Sequence, residues 1–442
     1  MKDTTIEDKP AIVATPKQAG ETEGRWSWVE RVVWTDRMLA ALETGVKGGK
    51  WFSLMDKVYT AKNLQASWKR VRANRGSGGS DGISLLRFED MMERELGQLA
   101  KELRANTYTP KPVKRVYIPK PGSKTGRPLG IPAVRDRVVQ TALLHVLEPI
   151  FENKFRPESY GFRPGRGCKD ALRRVQGLLN EGRTWVVDAD IRKYFDSISH
   201  ARLMAEVEKE VADGRVLKLV GLYLETDILD EAKRWTPEGG TPQGAVISPL
   251  LANIYLHPLD VAMEEAGFEM VRYADDFVVL CRSESEAKRA LKTIQRVLSE
   301  MELALHPEKT RMVDATQRGG FEFLGYHFER GTRWPRKRSI QNFKDAVRRK
   351  TKRCNGDSLE TIVEKLNRTI KGWFEYFKHS NEYTFPELDS WIRMRLRSIL
   401  RKRAHKRGRG RGSDHQRWPN AFFRSAGLIS MHEARRALCR SR

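Results

Sequence analysis

The chain has 442 residues, enough for two or three domains with a sizeable core. Its formal charge of +25 calls for anionic partners, and polyphosphate is the obvious class because each neutralised phosphate releases counterions. No apolar run approaches the roughly 18 residues of a membrane span, and the polar start lacks the apolar centre of a signal peptide. Four scattered cysteines (Cys168, Cys281, Cys354, Cys439) make no CxxC pair, which argues against a zinc ribbon and a disulfide framework.

Residues 1–48 read as a flexible leader followed by a helical scatter from Trp26 to Val46. Residues 49–108 form a second block. "WFSLMDKVYTAKNLQASWKRVRANRGSGGSDG" predicts a helix pair ending in a Gly/Ser loop. Leu85 to Leu103 predicts one amphipathic helix, with Leu85, Leu86, Phe88, Met92, Leu96 and Leu99 as its apolar set. "KRVYIPKPGSKTGRPLGIP" predicts two short strands around a tight loop, and "RDRVVQTALLHVLEPIF" a helix that stops near Pro149. "TWVVDADI" is a strand, and "TPQGAVISPLLANIYLHPLD" a turn leading into an apolar helix. "FEMVRYADDFVVLCRS" predicts a hairpin with Ala274 to Asp276 at its tip, followed by a helix from about Ser283, where Ser283 and Glu286 fit a capping box. "GGFEFLGYHFERG" predicts a second hairpin.

Gly331 to Arg338 reads as a linker between this α/β body and a helical, basic part that begins at Asn342. There, Trp373, Phe374, Tyr376 and Phe377 share one helix face and read as core, with stacking on bases as the alternative. The stretch Arg401 to Arg411 is too cationic and glycine-rich to pack, and predicts sequence-independent phosphate contact.

The adjacent carboxylates Asp275 and Asp276 stand out because they interrupt a segment that otherwise reads as buried strand. Burying an isolated charge is very costly, and like charges raise each other's pKa unless something positive neutralises them. That partner is Arg, Lys or a divalent cation. Hard oxygens on a short turn suit Mg²⁺, which takes one or two carboxylates plus substrate phosphates. A third carboxylate is supplied by "TWVVDADIRKYFDSI", as Asp188 or Asp190. Three such groups in a basic protein match two-metal phosphoryl transfer.

"YADD", with D-x-x-x-x-F upstream from Asp190 to Phe195, resembles the palm of reverse transcriptases. "RVYIPKPGSKTGRPLGIPAVRDRVVQ", "SYGFRPGRGCKDAL", "TPQGAVISPLLANIYL", "LHPEKTR" and "FEFLGYHF" occur in the order of the reverse transcriptase blocks of group II intron-encoded proteins. "NRGSGGSDG" resembles that family's N-terminal block. "LNRTIKGWFEYF", "LDSWIRMRLRSILRKR" and "RWPNAFFRSAGLISM" resemble its maturase, or X, domain. The resemblance runs from about Trp51 to Met431.

It implies a right-hand polymerase with α/β fingers and palm (residues 109–335), then an all-α thumb/maturase domain (336–400) and a basic C-terminal segment (401–442). Asp190 and Asp275 match the principal Mg²⁺ ligands and Asp276 a more peripheral carboxylate; Asp190 is preferred to Asp188 on the D-x-x-x-x-F spacing. The backbone carbonyl of Ile191 matches a further metal ligand. Phe195 matches the bulky residue beneath the sugar that selects dNTP over rNTP. Lys120 and Arg127 match the fingers cations on the incoming triphosphate, and Gln243 and Gly244 the nucleotide pocket. Lys309 matches a group that either protonates the leaving pyrophosphate or caps the next strand.

The activity implied is RNA-dependent DNA synthesis with two Mg²⁺ ions, Mn²⁺ being a substitute. A maturase role in group II intron splicing and mobility accompanies it. The implied partners are structured RNA, an RNA template with DNA primer, dNTPs and target DNA, with no membrane. The implied setting is a cytoplasmic, nucleoid-associated ribonucleoprotein. No endonuclease segment with paired cysteines is expected. The alternatives are a related enzyme domesticated for DNA repair or phage defence, and a non-enzymatic RNA-binding splicing factor.

Overall fold

The computed structural model describes residues 24–46, 48–119, 126–230, 233–406, 408, 410 and 412–440. In chain order the strands are β1 (Val113–Ile118), β2 (Arg127–Ile131), β3 (Trp185–Asp190), β4 (Ile228–Asp230), β5 (Lys233–Trp235), β6 (Glu269–Tyr273), β7 (Asp276–Cys281), β8 (Arg311–Asp314), β9 (Phe321–Phe323), β10 (Tyr326–Glu329) and β11 (Thr332–Pro335). The chain divides into two compact units. One takes the described residues up to 156, with 162–165 and 193–257; the other takes 157–161, 166–192 and 258 onward.

The first unit is built on the helix Val134–Glu152, whose residues are nearly all buried. The helix Ala61–Ala73 packs along it with Leu64, Trp68 and Val71 inward. The central helix ends near Pro149, as expected, but takes the proline inside it and closes at Glu152. Proline has no N–H to give the carbonyl four residues back, which normally breaks a helix. Here that carbonyl belongs to His145, and the buried indole of Trp34 donates to it instead, at 2.8 Å. The long helix expected over Leu85–Leu103 is two, Leu85–Asp90 and Met92–Ala105, broken at Met91 with φ −113°. The break lets Phe88 pack on Trp68, ring centres 4.8 Å apart, while Leu96, Leu99 and Leu103 line the second helix. Leu86, expected in the apolar set, is 75% exposed. Between Trp26 and Val46 the helix begins only at Asp36, capped by Thr35. A four-stranded sheet in the order β2-β1-β4-β5 completes this unit, with β1 parallel to β4 and the other pairs antiparallel.

The second unit holds an antiparallel sheet in the order β6-β7-β3-β8. The helices Cys168–Asn180 and Glu284–Glu300 pack on it, each presenting an apolar stripe. Ser283 caps the second of these, and Glu286 reaches back to the amide of Arg282 at 2.7 Å, one residue before the expected position. The hairpin β9–β10 turns through Leu324 and Gly325, both at positive φ. The expected linker Gly331–Arg338 is instead a turn, strand β11 paired with β10, and the start of the helix Lys337–Lys350. Alternating Thr332, Arg333, Trp334 and Pro335 suit a short strand that a hydrophilic reading misses.

The helices Lys337–Lys350, Leu359–Phe377 and Thr384–Arg403 enclose a common core that includes Phe343, Leu366, Ile370, Phe385 and Leu396. Trp373 stacks on Phe343 at 4.6 Å and Phe377 is buried, so this aromatic face is packing, as expected. Tyr376 donates to the Leu324 carbonyl at 2.7 Å and accepts at its own carbonyl from Tyr326 at 2.6 Å, which ties helix to hairpin. The basic stretch is less free than its composition suggests. Arg401 pairs with the buried Asp414, and Gly410 lies against the Arg397 side chain. Arg407, Arg409 and Arg411 lie outside the described residues. No described helix is long and apolar enough to cross a membrane.

Candidate active site

β3 buries Val186, Val187 and Ala189, and its alternation turns Asp188 and Asp190 to one face. Their surroundings differ. Asp188 accepts from Arg311 Nε at 3.0 Å, and burial pushes its carboxyl up. Asp190 ends the strand. Its carbonyl accepts from the His306 amide at 2.7 Å, and its Oδ2 is 2.7 Å from Lys309 Nζ. Directly opposite Asp190 on the neighbouring strand is Asp276. Asp275 occupies the two-residue turn between β6 and β7, which pairs Tyr273 with Asp276. The three carboxylates singled out in the sequence thus sit at one end of adjoining strands, with Asp276 one residue past the turn proper.

The turn is made by Ala274 at φ +59°, a left-handed conformation that costs an L-residue roughly 1–2 kcal/mol. Three features hold it. The buried guanidinium of Arg272 donates from Nη1 to the Ala274 carbonyl at 2.9 Å. The same group is ion-paired to buried Asp260, with Nε 2.7 Å from Oδ1. Gly161 lies against the other side, where a Cβ would come within 2.2 Å of the Ala274 nitrogen. Backbone bonds from Arg272 N to Glu158 O (3.0 Å) and from Tyr160 N to Arg272 O (2.8 Å) lay that segment along β6. Arg272, Asp260 and Gly161 did not emerge from the sequence as site residues. The one signal was an arginine inside an apolar strand, two residues before the turn.

Asp276 is exposed as a residue, yet protein atoms crowd its carboxyl group. Burial pushes its carboxyl up to about 7, and Asp188, Asp275 and Asp190 add to the effect while Arg336 opposes it. Hard carboxylate oxygens gathered this way suit a divalent cation, which would compete with Lys309 for Asp190. Among the described residues, no group of three or more His, Cys, Asp or Glu side chains is placed so that it could hold a metal ion as it stands. Ile191 forms an isolated bridge with Leu305. The flanking bonds, Arg192 N to Ala304 O (2.9 Å) and His306 N to Asp190 O, leave the Ile191 carbonyl out of that bridge.

The other candidates belong to the first unit. Arg127 is exposed at the start of β2, and Lys120 lies outside the described residues. Phe195 sits half-buried in the one-turn helix Tyr194–Asp196, entered through Lys193 at φ +47°. Gly240 packs against that turn, where a Cβ would meet the Phe195 carbonyl at 2.8 Å. Gln243 accepts from the Gly130 amide at 2.6 Å. Gly244, at φ +108°, approaches the Gly130 carbonyl so closely that a Cβ would lie 2.5 Å from it. Gly244 thus lets its backbone lie directly against β2.

A family model described as reverse transcriptase (RNA-dependent DNA polymerase) matches residues 118–328, a span that contains all ten candidates. A second, the maturase-specific domain of group II introns, matches residues 340–418. Protein YkfC of Escherichia coli (strain K12) is 34% identical over 291 residues, which cover 57% of this chain and 76% of YkfC. The chain belongs to the group II intron reverse transcriptase and maturase family. The intron-encoded protein LtrA of Lactococcus lactis subsp. cremoris is 37% identical over 194 residues, 44% of this chain and 32% of LtrA. A putative COX1/OXI3 intron 2 protein of Saccharomyces cerevisiae is 26% identical over 370 residues, 69% of this chain and 42% of that protein. The chain thus spans about three quarters of one such relative and a third of another. Its fold class is that of this reverse transcriptase family: α/β fingers and palm, then a helical thumb and maturase domain.

Proposed function

We propose that the chain is an RNA-dependent DNA polymerase with a maturase role in the splicing and mobility of a group II intron. The observation that carries the polymerase reading is the direct cross-strand pairing of Asp190 with Asp276, beside the Asp275 turn. Asp190, Asp275 and Asp276, with the Ile191 carbonyl, are the groups assigned to two Mg²⁺ ions. When bound, such ions lower the cost of charge on the attacking and leaving oxygens of an in-line displacement.

The chain's own work is positioning. Arg272 and Gly161 hold the turn that presents Asp275. Lys309 neutralises Asp190, and its ammonium is a donor suited to a departing phosphate oxygen. Arg127 and Lys120 are assigned to the triphosphate, Phe195 to exclusion of a ribose 2′-OH, and Gln243 and Gly244 to the nucleotide pocket. The 336–400 helices and the basic residues after them are assigned to structured RNA and target DNA, in a cytoplasmic ribonucleoprotein.

Primer extension on poly(rA)/oligo(dT) with Mg²⁺ tests the reading. Synthesis is expected from the wild type and none from Asp275→Ala, with RNA binding retained in both. Tight RNA binding by a wild type that incorporates nothing would favour the non-enzymatic splicing factor.

A further inference from the structure

The sheet β2-β1-β4-β5 has one face that the polymerase reading leaves unused. Strand alternation and register put Arg115, Tyr117, Pro128, Gly130, Lys233 and Trp235 on it, while Arg127 and Ile118 point to the opposite face. The face opens into a cavity of about 500 Å³. Trp235, 36% exposed, forms one wall, with the Arg115 guanidinium over its ring at 4.7 Å. Tyr117, 54% exposed, is fixed beside it by donating to Asp230 Oδ2 at 2.7 Å. The floor is the 236–243 segment, which reaches the candidate residue Gln243 at one edge.

Thr241, in that floor, is only 4% exposed, and its hydroxyl has no hydrogen-bond partner among the described residues. A buried hydroxyl without a partner costs about 1–3 kcal/mol, so the site is built with one polar contact still to be made. Asp196 and Glu238 add acceptors to the rim. An exposed indole, a stacked guanidinium and a few polar atoms around one cavity, with a second aromatic on the same sheet face, are the chemistry of base stacking with edge readout. The volume is that of a small-ligand pocket, adequate for one base and its sugar.

We propose that this cavity binds one base of a single-stranded nucleic acid, stacked against Trp235 and Arg115 and met at its edge by Thr241. The exposed Lys233, on the same face, provides a phosphate contact for a flanking nucleotide, which favours a strand over a free nucleotide. The proposal needs neither the aspartates nor a metal, so it can fail or succeed independently of the polymerase reading.

The test is fluorescence anisotropy on the full chain in EDTA, with no dNTP. The probes are labelled A, C, G and U hexamers, the matching DNA hexamers, a short RNA duplex and unlabelled nucleoside monophosphates as competitors. Trp235→Ala should weaken single-stranded hexamers about tenfold and the duplex by less than about twofold. Thr241→Val, which keeps the shape, should weaken only hexamers of the base whose edge it meets. Comparing the RNA and DNA arms identifies which strand the cavity takes. The proposal is overturned if Trp235→Ala and Arg115→Gln, both still folded by circular dichroism, bind every hexamer as the wild type does. An equal loss on the duplex, or monophosphates that compete as well as hexamers, overturns it too.

Discussion

The guanidinium of Arg272 donates to the carbonyl of Ala274 from two residues back, across 2.9 Å inside the second unit's core. Asp260 completes its neutralisation, and both side chains are essentially inaccessible, at 0% and 1%. Breaking a buried pair by removing one partner costs about 3–5 kcal/mol because the other charge is left alone. Asp260→Asn should therefore destabilise the protein by that order in urea titration. Arg272→Lys keeps a charge but loses the fork that spans carboxylate and carbonyl. It should cut primer extension more than it lowers the melting temperature. Equal effects of the two variants on synthesis and stability would mean that Arg272 serves the core alone.

Gly161 tests the turn from its other side. A Cβ there meets the Ala274 nitrogen at 2.2 Å and the Tyr273 carbonyl carbon at 2.9 Å, so Gly161→Ala must displace the turn. Misplacing a reacting group by about 1 Å is worth roughly a hundredfold in rate. The expected outcome is a loss of that order in single-turnover incorporation, with hexamer binding unchanged. Incorporation within a few-fold of wild type would show that the turn tolerates the shift.

Lys309 holds Asp190 at 2.7 Å with both side chains about half exposed, so the pair is weak and easily exchanged. A divalent cation bound by Asp190 must compete with that ammonium. Lys309→Met should lower the Mg²⁺ concentration for half-maximal synthesis by about threefold. If Lys309 also serves the leaving group, the plateau rate falls in the same titration. A half-point that moves upward would show that Lys309 assists metal binding.

His145 predicts a pH effect on stability. It is 6% exposed, sits 2.9 Å from Asn63 Oδ1, and burial with nearby Arg70 pushes it down to about 4 from an ordinary value near 6.5. Between those values the unfolded chain binds a proton that the folded chain refuses. The His145 contribution is therefore complete above about pH 7 and lost as pH falls toward 4, by at most about 3 kcal/mol. Asp136 and Glu148, pushed up to about 6 and about 7 by burial, act in the opposite sense as they take up protons in the folded state. The isolating measurement is the stability difference between wild type and His145→Asn at pH 7.5 and at pH 5. That difference should shrink at the lower pH. A constant difference would place the His145 pKa at its unfolded value.

What the sequence determined by itself were the groups whose meaning is local. "YADD" between apolar strands, Asp190 five residues before Phe195, and the Ser283 cap are written in short spacings. A run of apolar and β-branched residues carried the same information for β7, and the apolar start of β3 did so there. The tertiary structure decided whatever depended on a distant partner. Pro149 stays inside a helix because an indole 115 residues upstream replaces its missing donor. Leu86 is exposed because Phe88, two residues on, takes the place beside Trp68. Arg401 is bound because Asp414 folds back to it, and Thr332–Pro335 is a strand because β10 offers it an edge. Arg272, Asp260 and Gly161 became site residues only when folding brought three separate segments to one turn. A buried charge or a close backbone approach is defined by its neighbours, and those neighbours are chosen by packing rather than by adjacency in the chain.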